Sequence, residues 1–289
     1  YSTPLGFFLQ EDSSINPSPP DYTKVSYGLL NRSYPTDQKY DPSLTKPLWP
    51  RFTNYLTALN SNTTDIKYKL LYLARHGEAY HNVAQSYYGT KCWDCYWSRQ
   101  SGNGTATWLD AEMTPRGVTQ ILASNIFWRD VALAEEIPFP QSFYVGPMAR
   151  TLATANLTFA SHPAWNDSRR FAPSVKESLR ETINQCTCAW RHSRSWIAER
   201  FPDYQFEEGF SEVDELFTGE TIESASAQAL RMKGFLDDIF ENDGSLVVSV
   251  TMHGVNLNPL LSVVGHPNSM FTITTGQAVA VLVRAKREE

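Results

Sequence analysis

Three short apolar runs, 67–74 (KYKLLYLA), 142–145 (SFYV) and 246–252 (LVVSVTM), stop at polar residues that a core would reject. The stops are Arg75-His76-Gly77, Gly146-Pro147 with Arg150 close behind, and His253-Gly254. A strand that is apolar on successive residues is buried on both faces, so it needs covering layers above and below. Segments of helical character lie between the runs. Thr114-Pro115 is a helix start, with Thr as cap and Pro in the first turn, and Val118, Ile121, Leu122, Ile126 and Phe127 form its apolar stripe. Helices are also predicted after Gly146-Pro147, over 191–200, over 221–240 and over 255–264. A weaker strand is predicted around Val175 and Leu179, and a last one over 278–283. This alternation predicts an α/β fold: a three-layer α/β/α sandwich with a mostly parallel central sheet.

The chain has 289 residues and a mass of 32.7 kDa, with 42% hydrophobic and 13% aromatic residues. That suits one α/β domain over 1–289 and excludes a wholly disordered chain. Residues 1–65 carry the proline cluster Asn16-Pro17-Ser18-Pro19-Pro20 and read as an irregular arm. Phe7, Phe8, Tyr27, Trp49, Phe52 and Tyr55 tie that arm to the body, with a short amphipathic helix over 49–59. Residues 84–108 show no period and are predicted to be a long loop. No run is long and apolar enough for a transmembrane helix, and a net charge of −6 speaks against nucleic-acid or anionic-membrane partners.

Cysteines and sequons bear on compartment. Cys92, Cys95, Cys186 and Cys188 form two clusters, and Asn31, Asn62, Asn103, Asn156 and Asn166 each open an Asn-x-Ser/Thr sequon. Two disulfides in a secreted glycoprotein, a four-cysteine zinc site with unusual C-x-C spacing, and four reduced thiols in a cytoplasmic protein are the three readings. The even count and the sequons together favour secretion. The first residue is Tyr1, so the chain is read as processed or trimmed.

The polar strand ends are where function is expected. Ligands of open α/β sheets bind at the carboxyl ends of strands. Arg75 and Arg150 offer planar forks that match phosphate oxygens, and His76 and His253 offer a nucleophile or a donor. Gly77 and Gly254 allow tight turns and close backbone approach to a ligand.

These residues resemble a known family in their order. Leu73-Ala74-Arg75-His76-Gly77-Glu78 is similar to the signature of the histidine phosphatase superfamily, in its phosphoglycerate mutase-like branch. Met113-Thr114-Pro115-Arg116-Gly117-Val118-Thr119-Gln120, Val145-Gly146-Pro147-Met148-Ala149-Arg150, Leu179-Arg180-Glu181 and Thr251-Met252-His253-Gly254 resemble its later segments. His81-Asn82-Val83-Ala84 and Trp108-Leu109-Asp110-Ala111 resemble the fungal and plant phosphomutase-like subgroup. The resemblance implies that His76 attacks phosphorus and becomes phosphohistidine. It implies that Arg75, Arg150 and His253 bind the phosphoryl oxygens, and that Glu181 serves as acid and then base. Glu177, four residues earlier, is the alternative acid. Asn82, Gly77, Glu78 and Gly254 complete the substrate-binding set. No cofactor and no metal are implied, and no carboxylates show Mg²⁺ or Zn²⁺ spacing. The partner is then a small phosphorylated substrate. The expected activity is metal-independent phosphomonoester hydrolysis. A phosphomutase, and a relative that binds or converts a non-phosphorylated molecule, are the rivals. If the segments bearing the two cysteine clusters rim one pocket, disulfides between the clusters follow.

Overall fold

The computed structural model describes residues 1–12, 14, 18–61, 65–166 and 170–287. Asn16 and Pro17 of the proline cluster and the sequon residue Asn62 lie outside the described residues. One six-stranded sheet has the order β4-β3-β2-β5-β1-β6. Its strands are β1 (Ile66–Arg75), β2 (Ser142–Val145), β3 (Ser174–Val175), β4 (Gln205–Phe206), β5 (Val247–Met252) and β6 (Ala278–Lys286). All neighbours run parallel except β6, which is antiparallel to β1.

The apolar runs serve both faces of the sheet. Along β1, Leu70 and Tyr72 enter one core while Leu71 and Leu73 enter the other, as the two-residue period of a strand demands. The first core takes its cover from α1 (Leu48–Ser61), α4 (Ala149–Phe159) and the N-terminal arm. The second is covered by α6 (Ala225–Asn242) and α7 (Gly254–Val263), through Met232, Phe235, Leu236, Leu257 and Leu260. Each such fully buried side chain contributes about 1.5–3 kcal/mol. The arm is bound by aromatic contacts: Tyr27 lies 4.5 Å from the Tyr72 ring and Tyr22 lies 5.1 Å from Phe127.

Several local expectations change. Residues 84–108 are not a long loop, because α2 (Tyr80–Cys95) occupies the first half. Its residues lack an apolar stripe, since the helix buries only His81, Ala84 and Trp93 and bends at Gly89, where φ is 75°. The expected third strand shrinks to Ser174–Val175, and Leu179 falls in a 3₁₀ turn. Strand β4 is two residues long, too short to carry a period. Helices start where their caps stand. Thr114 accepts from the Gly117 N–H ahead of α3 (Pro115–Ile126), Ser193 from Trp196 ahead of α5 (Arg194–Arg200), and Ser224 from Ala227 ahead of α6.

Candidate active site

The register of the sheet assembles the site. Arg75 pairs with Met252 across β1 and β5, so the next residues, His76 and His253, leave adjacent strand ends side by side. Their ring centroids are 5.2 Å apart. The His76 N–H donates to the Met252 carbonyl at 3.1 Å, and the His76 carbonyl accepts from Gly276 at 3.0 Å, so the backbone is held on both sides. His76 Nδ1 lies 2.7 Å from the Gly77 carbonyl. A carbonyl only accepts, so Nδ1 carries the proton and Nε2 keeps its lone pair. Burial, then Arg150 and His253, push the His76 pKa well below the ordinary imidazole value. The ring is therefore neutral at physiological pH.

Arg150 sits at the start of α4 and is fully buried. Its Nη2 donates to Glu181 Oε2 at 3.2 Å and its Nη1 to the Cys188 carbonyl at 3.1 Å. Glu181 Oε2 also lies 3.2 Å from His253 Nδ1, and Oε1 accepts from the Thr182 N–H. Burial alone would raise the Glu181 carboxyl. The His253 ring and the Arg150 guanidinium outweigh it and hold the acid well below the usual carboxylate range. Burial pushes His253 down to about 4, against the pull of Glu181. Glu177 is elsewhere: its carboxylate takes Arg191 Nε at 2.5 Å and Arg180 Nη1 at 3.4 Å. Of the two carboxylates, Glu181 is the one beside the imidazoles. Asn256 fixes its segment by donating to the Leu179 and Arg180 carbonyls.

Arg75 donates through Nη1 to the Ile273 carbonyl at 2.7 Å. Its Nε, the Nε of Arg150, the Nε2 of His253 and His81 Nδ1 are buried without a hydrogen-bond partner. All belong to residues gathered round His76. Buried donors of this kind are normally satisfied, so this concentration marks a place built for a ligand with several acceptor oxygens.

The glycines are packed closely against protein. A Cβ at Gly77 would meet the Gly117 carbonyl at 2.7 Å and Met113 Sδ at 2.7 Å. One at Gly254 would lie 3.0 Å from Arg75 Cδ. The first lets β1 close onto α3, and the second leaves room for the Arg75 side chain. Glu78 accepts from the Thr114 hydroxyl at 2.7 Å and from Arg116 at 3.3 Å, while facing an open cleft beside the site. Asn82 lines the same cleft, but its amide is used locally, by Ala79 and His81.

Two contributors had no role assigned from sequence. Asp110 adopts φ 41°, an unusual left-handed conformation for a buried residue. Its Oδ1 accepts from the Ala149 N–H at 2.9 Å and lies 3.9 Å from Arg150 Nη1. Its Oδ2 lies 2.6 Å from His192 Nδ1. Asp110 thus anchors the turn that aims Arg150. His81 is the other, with its ring 5.6 Å from that of His76. The tracts holding both residues were visible, but only a helix register for the first tract would have turned His81 inward. One ligand atom each from His76, His81 and Glu181 lie within 4.8 Å of one another, a possible metal group that chain spacing does not show. Arg75 and Arg150 act electrostatically on the His76 ring, and they make the same space costly for a divalent cation and favourable for an anion.

Disulfides between the cysteine clusters do not form. Cys186 and Cys188 pair with each other, and Cys92 and Cys95 are exposed free thiols. The segments do meet, through the Thr187 hydroxyl donating to Gln100 O at 2.7 Å and Arg99 donating to Gln185. The helical turn that points Trp93 inward sends its neighbours at 92 and 95 to solvent. The cysteines thus lose most of their weight as an argument for secretion. Of the sequon residues, Asn31, Asn103 and Asn166 are exposed and Asn156 is half-buried on α4. Asn103 already donates its amide to Tyr88 and accepts from Thr105 and Ala106.

A mostly parallel sheet whose adjacent strands β1 and β5 deliver imidazoles to a pocket of guanidiniums and one carboxylate defines an α/β protein with an anion-compatible site at its strand ends. The chain belongs to the histidine phosphatase superfamily (branch 1), whose description matches residues 71–287. It is 41% identical over 285 residues to a protein of Arthroderma benhamiae named "Probable phosphoglycerate mutase", covering 98% of this chain and 84% of that one. It is 34% identical to "Phosphomutase-like protein 3" of Candida albicans, covering 98% and 79%. Among solved structures, phosphoglycerate mutase from Bacillus anthracis superposes with a TM-score of 0.48 at 17% identity, covering 78% of this chain and 94% of that one.

Proposed function

We propose that this chain is a metal-independent phosphomonoester hydrolase that works through a phosphohistidine at His76. The observation that carries the proposal is the state of His76: a neutral ring with Nδ1–H bound to Gly77 and a free Nε2 lone pair, among buried unpartnered donors. In the first step Nε2 attacks phosphorus and the ester P–O bond breaks. Glu181 gives a proton to the departing oxygen, and an alcohol leaves. In the second step Glu181 takes a proton from water, whose oxygen attacks the phosphohistidine, and inorganic phosphate and free His76 are released. Arg75, Arg150 and His253 hold the non-bridging oxygens and spread the charge of the transition state.

A mutase of the phosphoglycerate type must also grip a second anionic group of its substrate. The cleft beside the site holds Arg75 and Arg116 against Asp21 and Glu78 among its described charged residues, so its lining carries no surplus of positive charge. That balance favours an ester whose alcohol is uncharged, and with it hydrolysis. Assay with p-nitrophenyl phosphate and a panel of alkyl phosphoesters, with and without EDTA, tests the reading. Turnover unaffected by EDTA is expected. Transfer between 2- and 3-phosphoglycerate without phosphate release would replace the hydrolase with a mutase. Absence of both activities would leave the non-phosphorylated ligand as the reading.

A further inference from the structure

We propose that His81 is a third catalytic histidine, a neutral Nδ1–H donor to the phosphoryl oxygens, and that Asn82 is the positioning residue that sets its tautomer. The proposal rests on the phosphoryl-transfer reading of the site. Ala79 N–H donates to Asn82 Oδ1 at 3.0 Å. That identifies the oxygen end of the amide, so the nitrogen end faces His81, where Asn82 Nδ2 lies 3.0 Å from Nε2. An amide NH₂ only donates, so Nε2 of His81 is the acceptor and the ring proton sits on Nδ1.

Nδ1 is buried and has no partner, in a side chain that is 6% exposed. The ring lies against the nucleophile, and one of its nitrogens falls within 4.8 Å of the groups offered by His76 and Glu181. This arrangement also chooses between two ligands. A metal needs a lone pair, and the exocyclic amide of Asn82 occupies the lone pair that His81 has. An anion needs an N–H, which is what remains. Burial and Arg150 also push His81 well below the usual imidazole range, so the donor is neutral and adds no charge for Arg75 and Arg150 to repel.

The wild-type protein with ¹⁵N-labelled histidine gives a direct test. Long-range proton–nitrogen spectra at pH 7 are expected to show His81 protonated at Nδ1 and bare at Nε2, with the Nδ1 proton moving downfield when vanadate is added. An Nε2–H tautomer or an imidazolium at His81 overturns the proposal without reference to any variant. In kinetics, His81→Leu is expected to lower kcat for p-nitrophenyl phosphate by about 10²-fold, with vanadate affinity falling too. His81→Asn, whose amide nitrogen can stand near the place of Nδ1, recovers most of the loss, and His81→Gln does not. Asn82→Asp replaces the donor by an acceptor and draws a second proton onto His81, which shifts the pH profile of kcat. Retention of kcat and vanadate affinity within about twofold in a folded His81→Leu overturns the assignment. If the wild-type protein neither turns over phosphoesters nor binds vanadate, the hydrolase reading fails instead.

Discussion

Glu181→Gln separates the chemistry of this site into its two steps. The carboxylate lies 3.2 Å from Arg150 Nη2, where an effective dielectric of about 20 gives an attraction of about 5 kcal/mol. With the His253 ring, that attraction holds Glu181 ionised in the free protein, yet a general acid must arrive protonated. A bound phosphate dianion resolves the conflict. It competes for Arg150, and losing even half of the attraction raises the carboxyl by about two pKa units. Substrate binding therefore draws a proton onto Glu181, and vanadate binding by the wild-type protein should take up protons. Calorimetry in buffers of different ionisation heat measures that uptake, and Glu181→Gln should reduce it. The amide keeps an acceptor for the Thr182 N–H but neither gives nor takes a proton. Alkyl phosphates, with poor leaving groups, should slow by about 10²–10⁴-fold. p-Nitrophenyl phosphate needs little protonation, so its first step should survive while phosphohistidine hydrolysis stalls. Stopped flow should then show a burst of p-nitrophenol close to one equivalent per enzyme, followed by slow turnover. Equal slowing of both esters with no burst would refute the acid–base role.

His76→Ala should lose the acid-labile phosphoenzyme trapped from labelled substrate, and activity above about one per cent would remove His76 as nucleophile. Stability should fall on acidification, because His253 and His266 are both pushed down to about 4 by burial. Their folded pKa values lie below the unfolded ones, so the stability is present above about pH 6.5 and is lost as pH falls toward 4, by up to roughly 3 kcal/mol per ring. Urea midpoints at pH 7 and pH 5 test this, since carboxylates contribute little at that end of the range; an unchanged midpoint contradicts it. Two thiols, those of Cys92 and Cys95, should react rapidly with a thiol reagent in the native protein. No rapid thiols would restore the pairing between clusters.

What could be read beforehand follows from what each signal measures. Strands β1 and β5 are apolar on both faces because helices cover both, and a run of that kind is visible in one dimension. The polar stops at their ends were visible for the same reason, as breaks in the run. Helix α2 was not, because it buries three residues, half-buries Tyr80, Asn82 and Tyr88 and exposes the rest, so no stripe exists to detect. The cysteine clusters differ from expectation for the same reason: spacing along a loop leaves the direction of a thiol free, whereas a helix fixes it. Glu181 is placed by its register to Leu179 and Arg180, whose carbonyls accept from Asn256, while Gln228 donates to Thr182 on the other side of it. Two essential supports lay outside any local pattern. Asp110 works through a left-handed backbone and contacts to residues 39, 40 and 82 positions away. His81 depends on which end of one amide faces it, a fact settled only by the Ala79 N–H. The groups proposed to meet the phosphate are therefore legible as strand-end residues, whereas the groups that orient them are set by tertiary hydrogen bonds and emerge only with the fold.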